Sequence, residues 1–190
     1  MIDARNIAAI LLAAGRSERF GSDDKLMVPL DGEPLGLHAA RRIVELAPGQ
    51  HIAVCESADH PLAARLAALG YEIVTNPHPE RGLSQSLASG IAAADKAEAA
   101  LVCLADMPFV TTAHVEALLA RFDAETAPVV ASTRNGTPMP PALFAHSLFD
   151  ALQARKGDQG ARALLADAAL VSAGARELAD IDRPDDLPVP

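Results

Sequence analysis

The chain has 190 residues, half of them hydrophobic, so it is long enough to bury one substantial core and is expected to form a single domain. Its net charge of −9 provides no basic surface to bind nucleic acid or anionic lipid, which disfavours these partners and favours small molecules. Cys55 and Cys103 are too few for a disulfide framework or a cysteine metal cluster, and no membrane-length apolar run or convincing secretory signal occurs, so a cytoplasmic protein is expected.

Apolar runs alternate with turn signals along most of the chain and predict strands separated by helices. The predicted strands cover residues 7–12, 51–55, 71–75, 100–105 and 128–132. The predicted helices cover residues 34–47, 61–69, 83–94 and 111–122. Beyond residue 140 the alternation breaks, and we expect short helices at about 146–154 and 159–166 and edge strands near 170–172 and 177–180.

Several of these strands are apolar throughout, which is typical of a parallel sheet covered by helices on both faces. The pattern therefore predicts a doubly wound α/β domain with a mainly parallel sheet. Ligands of such sheets bind outside the carboxyl ends of the strands. The loops after Leu12, Thr75 and Ala105 are the expected places for chemistry.

The first of these loops, AAGRSERFGSDDK, has a composition that suits an anion. It is not a phosphate-binding Walker A loop, because Lys25 is followed by leucine and not by serine or threonine, and it lacks the glycine spacing of dinucleotide-binding loops. Gly15 and Gly21 allow backbone N–H groups to approach a ligand, while Arg16, Arg19 and Lys25 supply positive charge. A triphosphate is the ligand that fits best, and an ordinary solvent-exposed loop is the alternative.

The third loop follows the run LVCLADMPFV, in which a buried strand carries Asp106 to its carboxyl end and Pro108 stops the strand. Mg²⁺ favours one or two carboxylates together with phosphate oxygens of a substrate, so Asp106 is a candidate magnesium ligand. A helix cap is the alternative role for this carboxylate. Asp180 and Asp182 are further candidates, because alternation along a strand would put both on one face.

The run GLSQSLASGI places Gly82, Ser84 and Ser86 at the start of a predicted helix. Backbone donors at a helix N-terminus can hold an anionic ligand. Serine is also a common N-cap, so a purely structural role is the alternative. The six histidines show no ligand spacing, so a zinc site is not expected.

Five motifs occur in the same order as in a known family: LAAGRSERFGSDDKL, GLSQSLASGI, LADMP, GDQGARALL and DIDRPDDL. Together they resemble the molybdenum cofactor cytidylyltransferases, within the MobA-like group of nucleotidyltransferases. The resemblance runs from Ile7 to Leu187. It implies a Rossmann-like nucleotidyltransferase fold in one domain, with a nucleotide-binding part over about 1–132 and a small acceptor-side extension over about 133–190.

The resemblance also implies which residues bind the nucleotide. They would be Leu12, Ala13, Ala14, Gly15, Arg16, Ser17, Lys25, Ser84 and Ser86. The backbone of residues 12–14 would pass the base, and residues 15–17 would wrap the β- and γ-phosphates. Arg19 would add charge and Lys25 would neutralise the α-phosphate. Ala14 stands where the guanylyl-transferring branch tends to carry glycine, which favours the cytidylyl branch.

For the metal and the acceptor, the resemblance implies that Asp106 binds Mg²⁺ and that Asp182 is a second ligand. The GD-x-GAR match offers Arg162 to a phosphate of the acceptor, although a glycine turn before a capped helix fits those residues equally. The run TPMPPALF departs from the family pattern, because two adjacent prolines stiffen it and Met139 adds bulk. The acceptor is therefore the less secure half of the assignment.

The implied reaction is in-line attack by the terminal phosphate of molybdopterin on the α-phosphorus of CTP, which transfers CMP and releases pyrophosphate. No protein nucleophile is needed, because catalysis rests on positioning and charge compensation. The first alternative is a related enzyme that uses GTP and molybdopterin, or CTP and a phosphorylated alcohol or sugar. The second is a non-catalytic nucleotide-binding assembly factor for a molybdenum hydroxylase, although the presence of both Lys25 and Asp106 favours catalysis. An oxygen-labile product makes handover to a hydroxylase attractive.

Overall fold

A computed structural model describes residues 2–15, 20, 24–78, 80, 82–154 and 164–187. Its strands are β1 (Ile7–Ala13), β2 (Pro29–Leu30), β3 (Glu33–Pro34), β4 (Gln50–Cys55), β5 (Glu72–Thr75), β6 (Ala99–Leu104), β7 (Val129–Arg134), β8 (Thr137–Ala145) and β9 (Ala169–Ser172). Its helices are α1 (Leu35–Glu45), α2 (Pro61–Ala68), α3 (Leu83–Ala93), α4 (Thr112–Arg121) and α5 (Phe149–Ala154). Within the described ranges, no helix is both long and apolar enough to cross a membrane.

Seven strands form one sheet in the order β5-β4-β1-β6-β8-β7-β9, and β2 and β3 form a separate hairpin. Every neighbouring pair in the large sheet is parallel except the two pairs that include β8. The helices connect parallel strands and cover the sheet, so the predicted doubly wound α/β fold is confirmed. Because β1, β4, β5 and β6 run in the same direction, the loops that follow them meet at one edge.

The core lies on both faces of the sheet, which explains why β1 is apolar at every position. Ile7, Ala9 and Leu11 belong to one hydrophobic cluster, whereas Ala8, Ile10 and Leu12 belong to the other. Alternate residues of a strand point to opposite faces, so a strand covered on both sides has no position for a polar residue.

Helix α3 approaches the sheet closely at Gly90. A Cβ atom at this position would lie 2.6 Å from Cγ2 of Ile10 and 3.1 Å from Cγ2 of Val54. We expect Gly90→Ala to lower the free energy of unfolding by about 1–3 kcal/mol, because overpacking at a tight contact outweighs the gain in helix propensity. Urea unfolding would measure this change. Gly174→Ala is the matched control, since nothing lies within 4 Å of its added Cβ, and equal stability of the two variants would contradict this account of the contact.

Strand β8 was not predicted from the sequence. It lies inside the sheet, antiparallel to β6 and β7, although it contains Pro138, Pro140 and Pro141. Proline lacks the N–H that a central strand needs and is found at bulges instead. The pairing with β7 shifts between Ala131 and Ser132, so that Pro140 and Pro141 fall in the irregularity. Pro138 pairs with Thr133 of β7 but lies beyond the residues of β8 that pair with β6. The prolines therefore concealed a strand that tolerates two of them at its bulge and the third where it is paired on one side only.

The end of the chain differs from the prediction. Residues 177–180 do not form a strand. Residues 175–178 form a turn instead, in which the amides of Glu177 and Leu178 donate to the Gly174 carbonyl. The side chains of Leu178 and Ile181 are buried, and their spacing of three residues does not fit strand alternation. The prediction that alternation would place Asp180 and Asp182 on one strand face is therefore wrong. Of the helix expected over 159–166, only residues 164–166 lie within the described part, and 164–165 are helical.

Candidate active site

The carboxyl edge of the sheet brings together the ends of β1 and β6. The ladder between these strands continues past their last paired residues, because the Ala105 amide donates to the Leu12 carbonyl at 3.1 Å. Asp106 therefore lies beside the segment 13–15 that begins the first loop. As the sequence predicted, a buried strand carries this carboxylate to the edge where parallel sheets bind ligands.

Lys25 joins the first loop to this edge. It opens a short 3₁₀ turn, Lys25–Met27, and its side chain turns inward so that only 8% of the residue is exposed. Its Nζ atom lies 2.7 Å from Oδ2 of Asp106 and 3.2 Å from Oδ1 of Asp182. The structure thus brings together the predicted catalytic lysine and both predicted metal ligands.

Asp182 reaches the site from a segment near the end of the chain. The Ile181 amide donates to the Asp106 carbonyl at 2.9 Å, which docks this segment on the loop after β6. One carboxylate oxygen of Asp186 accepts hydrogen bonds from the amides of Asp182 and Arg183 at 2.9 and 2.7 Å. Backbone contacts therefore hold Asp182 on both sides, although no strand is present.

The charges at this site depend on one another. Burial raises the pKa of Asp106, and the negative charges of Asp180 and Asp182 raise it further, whereas Lys25 opposes this change. Burial works to lower the pKa of Lys25, but its hydrogen bonds and charge attraction to Asp106 and Asp182 outweigh burial and raise it. Lys25 therefore stays protonated and serves as the counter-ion for two closely placed carboxylates.

Asp106 also carries an atom suited to a cation. Its Oδ1 is buried and has no hydrogen-bond partner, while Oδ2 is bonded to Lys25. Buried carboxylate oxygens are normally hydrogen-bonded or coordinate a metal, so this orphan oxygen fits a metal ligand. In the described part of the chain, no group of three or more His, Cys, Asp or Glu could hold a metal ion unaided.

The residues predicted to contact the nucleoside line the same edge. Leu12, Ala13 and Ala14 are buried, whereas Gly15 is exposed and an added Cβ there would meet nothing within 4 Å. The Leu12 carbonyl accepts from the Ala105 amide, and Leu12 is paired with strands on both sides, so its backbone belongs to the sheet. The chain therefore opens into free space at Gly15, where the predicted phosphate-binding loop begins.

Ser84 and Ser86 are both buried on the first turns of α3, and the serine hydroxyls do not cap it. The N-cap is Gly82, at φ 86°, without a side-chain cap. Ser86 Oγ accepts a hydrogen bond from Nδ2 of Asn76 at 2.9 Å. The alternative N-cap role is thus wrong for both serines, and Ser86 instead joins α3 to the loop after β5.

Asn76 is a site-edge residue that the sequence reasoning missed. It is buried, its amide donates to the Cys55 carbonyl, and its Oδ1 accepts from the His78 amide at 3.0 Å. Its backbone amide thereby binds the end of β4, while its side chain ties the loop after β5 to α3. The available signal was its position immediately after β5, in one of the three loops where chemistry was expected.

Four predicted site residues lie outside the described residues: Arg16, Ser17, Arg19 and Arg162. Their roles stay predictions. The part of the site that the structure does describe consists of the start of the first loop, the Lys25 turn, the loop after β6, the segment around Asp182 and the first turns of α3.

Comparison with known proteins agrees with this architecture. The model of the family described as "MobA-like NTP transferase domain" matches residues 9–175. The purine catabolism protein PucB of Bacillus subtilis is 30% identical over 95% of this chain and 93% of its own length. A molybdenum cofactor guanylyltransferase of Burkholderia cenocepacia is 33% identical over 83% of this chain and 80% of its own length.

Solved structures agree in fold. A nucleotidyl transferase from Methanothermobacter superposes with a TM-score of 0.80 and 22% identity, covering 95% of this chain and 93% of that one. The protein Rv0371c from Mycobacterium tuberculosis, solved in complex with manganese, superposes with a TM-score of 0.78 and 20% identity, covering 95% of each chain.

Proposed function

The chain belongs to the MobA-like NTP transferase family and is a nucleotidyltransferase, and we propose that it transfers CMP from CTP to the terminal phosphate of molybdopterin and releases pyrophosphate. The observation that carries the proposal is the contact of Lys25 with Asp106 and Asp182 at the mouth of the first loop. A cation and two carboxylates at the same edge of the sheet as the exposed backbone of Gly15 are the groups that a triphosphate and its metal ion require.

The reaction joins two anions, so the main task of the protein is to position them and to offset charge. An oxygen of the terminal phosphate of the acceptor attacks the α-phosphorus, and the bond between that phosphorus and the oxygen bridging to the β-phosphate breaks. Lys25 is placed to compensate the charge that develops on the α-phosphate. The loop after β1 holds the leaving pyrophosphate through backbone N–H groups, and the first turns of α3 confine the nucleoside.

Asp106 and Asp182 are the residues that would hold a divalent metal ion, which we propose to be Mg²⁺. The orphan Oδ1 of Asp106 supports this role. When bound, the ion neutralises phosphate charge and fixes the triphosphate for in-line attack. Lys25 pairs with Oδ2 of Asp106, which leaves Oδ1 of the same carboxylate for the metal ion.

Ala14 supports CTP as the nucleotide, because it stands where the guanylyl branch tends to carry glycine. Ala14 is buried directly after the end of β1 and immediately before the exposed Gly15. GTP is the second candidate, and the 33% identity to a molybdenum cofactor guanylyltransferase favours it. The CTP and GTP reactions differ only in the base of the nucleotide, so the same catalytic groups would serve both.

The test is to incubate the protein with each of CTP, GTP, ATP and UTP, together with Mg²⁺ or Mn²⁺ and molybdate-loaded pterin. Pyrophosphate release gives the rate, and mass spectrometry identifies the nucleotide on the product. We expect CTP to give the highest rate, by roughly tenfold or more over GTP, the discrimination that a small difference in pocket shape provides. A higher rate with GTP would assign the protein to guanylyl transfer, and no release with any nucleotide would overturn catalysis.

A further inference from the structure

We infer that Asp24 and His60 are positioning residues that hold the Lys25 turn in its catalytic place. The inference rests on the proposed function of Lys25. Asp24 comes directly before Lys25, whereas His60 comes directly before α2, on the far side of β4 in the sequence. Their side chains meet, with 2.9 Å between Nε2 of His60 and Oδ2 of Asp24.

Asp24 uses its two carboxylate oxygens for two different tasks. Oδ1 accepts a hydrogen bond from the Leu26 amide at 3.0 Å and so caps the 3₁₀ turn that carries Lys25. Oδ2 faces His60. An N-cap alone fixes only the local turn. The side chain of Leu26, which is buried in the core, anchors this turn to the fold, and the contact of Asp24 with His60 adds a polar link to α2 that fixes its orientation.

His60 likewise uses both ring nitrogens. Nδ1 accepts a hydrogen bond from the Leu62 amide at 3.2 Å, which makes His60 the N-cap of α2. An acceptor at Nδ1 places the proton of the neutral ring on Nε2, so Nε2–H donates to Asp24. These hydrogen bonds form one chain from the α2 backbone through His60 and Asp24 to the Leu26 amide, next to Lys25.

This chain of contacts matters for position more than for stability. The side chains of His60 and Asp24 are 27% and 35% exposed, and partly exposed pairs of this kind contribute little to the free energy of folding. Helix α2 is firmly seated, because Leu62 and Leu66 are fully buried. The Lys25 turn is anchored in the core through Leu26 and must place Nζ between two carboxylates. A small displacement of a catalytic group can be costly in rate.

Two substitutions of His60 separate the two roles of the ring. His60→Asn keeps an oxygen near the Nδ1 position to cap α2 but is too short to reach Asp24. His60→Gln keeps an N–H near the Nε2 position but gives up the cap. We expect His60→Asn to lower kcat by roughly tenfold to a hundredfold with the KM for the nucleotide little changed. His60→Gln should keep most of kcat and should unfold at a lower urea concentration.

Asp24→Asn tests the other partner, because its amide oxygen can still cap Leu26 while its N–H₂ opposes the His60 donor. It should lower kcat as His60→Asn does, and the double variant should be no slower than either single variant. Asp3→Asn is the matched control. Asp3 also caps a three-residue 3₁₀ turn and pairs with a basic side chain, Arg5, but it lies at the opposite end of β1. Its substitution should leave kcat unchanged.

A second measurement does not depend on activity. The three lysines of the chain are Lys25, Lys96 and Lys156. Acetylation by an amine-reactive ester, followed by mass spectrometry, compares the buried Lys25 with the exposed Lys96 as an internal reference. We expect His60→Asn and Asp24→Asn, but not His60→Gln or Asp3→Asn, to raise the labelling of Lys25 severalfold.

The outcomes distinguish failure of the positioning role of Asp24 and His60 from failure of the proposed nucleotidyl transfer. If the wild-type protein releases no pyrophosphate with any nucleotide, the proposed function fails, and labelling alone then judges the positioning role. Unchanged labelling of Lys25 in His60→Asn and Asp24→Asn would overturn the inference. An equal loss of rate in both His60 variants would overturn it as well, because the cap on α2 and not the link to Asp24 would then be the cause.

Discussion

Lys25→Ala is expected to lower the rate of pyrophosphate release by at least about a hundredfold, equivalent to about 3 kcal/mol of transition-state stabilisation. The side chain is buried against Asp106 and Asp182, and it is the cation that we place at the α-phosphate. Its effect should fall on kcat more than on the KM for CTP, because the charge it compensates is largest in the transition state. Steady-state kinetics at saturating metal would measure both constants.

Removing Lys25 also leaves two neighbouring carboxylates without their counter-ion, so the fold must be checked separately. Lys25→Arg keeps the positive charge and should fold as the wild type does, but a planar guanidinium cannot replace a compact ammonium group and the rate should stay low. Lys96→Ala is the control, since this lysine is exposed at the amino end of the sheet. A folded Lys25→Ala protein with near-normal turnover would reject the role of Lys25.

The alternating strands and helices were predictable because each strand is buried on both faces. A short, wholly apolar run such as residues 7–12 is typical of a central strand of a parallel sheet, and β1 occupies Ile7–Ala13 as expected. The position of Asp106 followed from the same signal, since a buried strand must end where its first charged residue appears. These features depend on local sequence alone.

Other features depend on contacts between distant residues, which no local pattern encodes. Lys25 meets Asp106 and Asp182 across 81 and 157 positions of the chain. The pairing of Asp24 with His60 is also nonlocal. His60 caps α2 with Nδ1, and only the folded structure brings its Nε2 to Asp24. Strand β8 was missed for a different reason, because two of its three prolines are tolerated at a bulge that only the pairing with β7 creates.

Asp106→Asn is expected to lower turnover by at least about a hundredfold, as for the loss of one preorganised electrostatic contact. The amide keeps the shape of the side chain but loses the charge that attracts a metal ion. Lys25 would keep Asp182 as a partner, so the variant should fold. A higher metal concentration should recover part of the lost rate if Asp106 is a ligand, and pyrophosphate release over a range of Mg²⁺ concentrations would measure this.

Asp185→Asn is the control for this substitution, because Asp185 is an exposed acid in the short Pro184–Asp186 turn and should leave turnover unchanged. Near-normal release by Asp106→Asn at low Mg²⁺ would reject its role.

Comparison of the two site variants in metal-binding experiments separates their functions further. Lys25 and a metal ion would be two cations beside the same pair of carboxylates and would repel one another, so Lys25→Ala should bind Mn²⁺ without nucleotide at least as well as the wild type, whereas Asp106→Asn should bind it more weakly. Electron paramagnetic resonance of free Mn²⁺ would measure both affinities. If both variants lost the metal equally, Lys25 would support the carboxylates that bind the metal. If only Asp106→Asn lost it, Asp106 would be a metal ligand and Lys25 would not be needed for metal binding, as we propose.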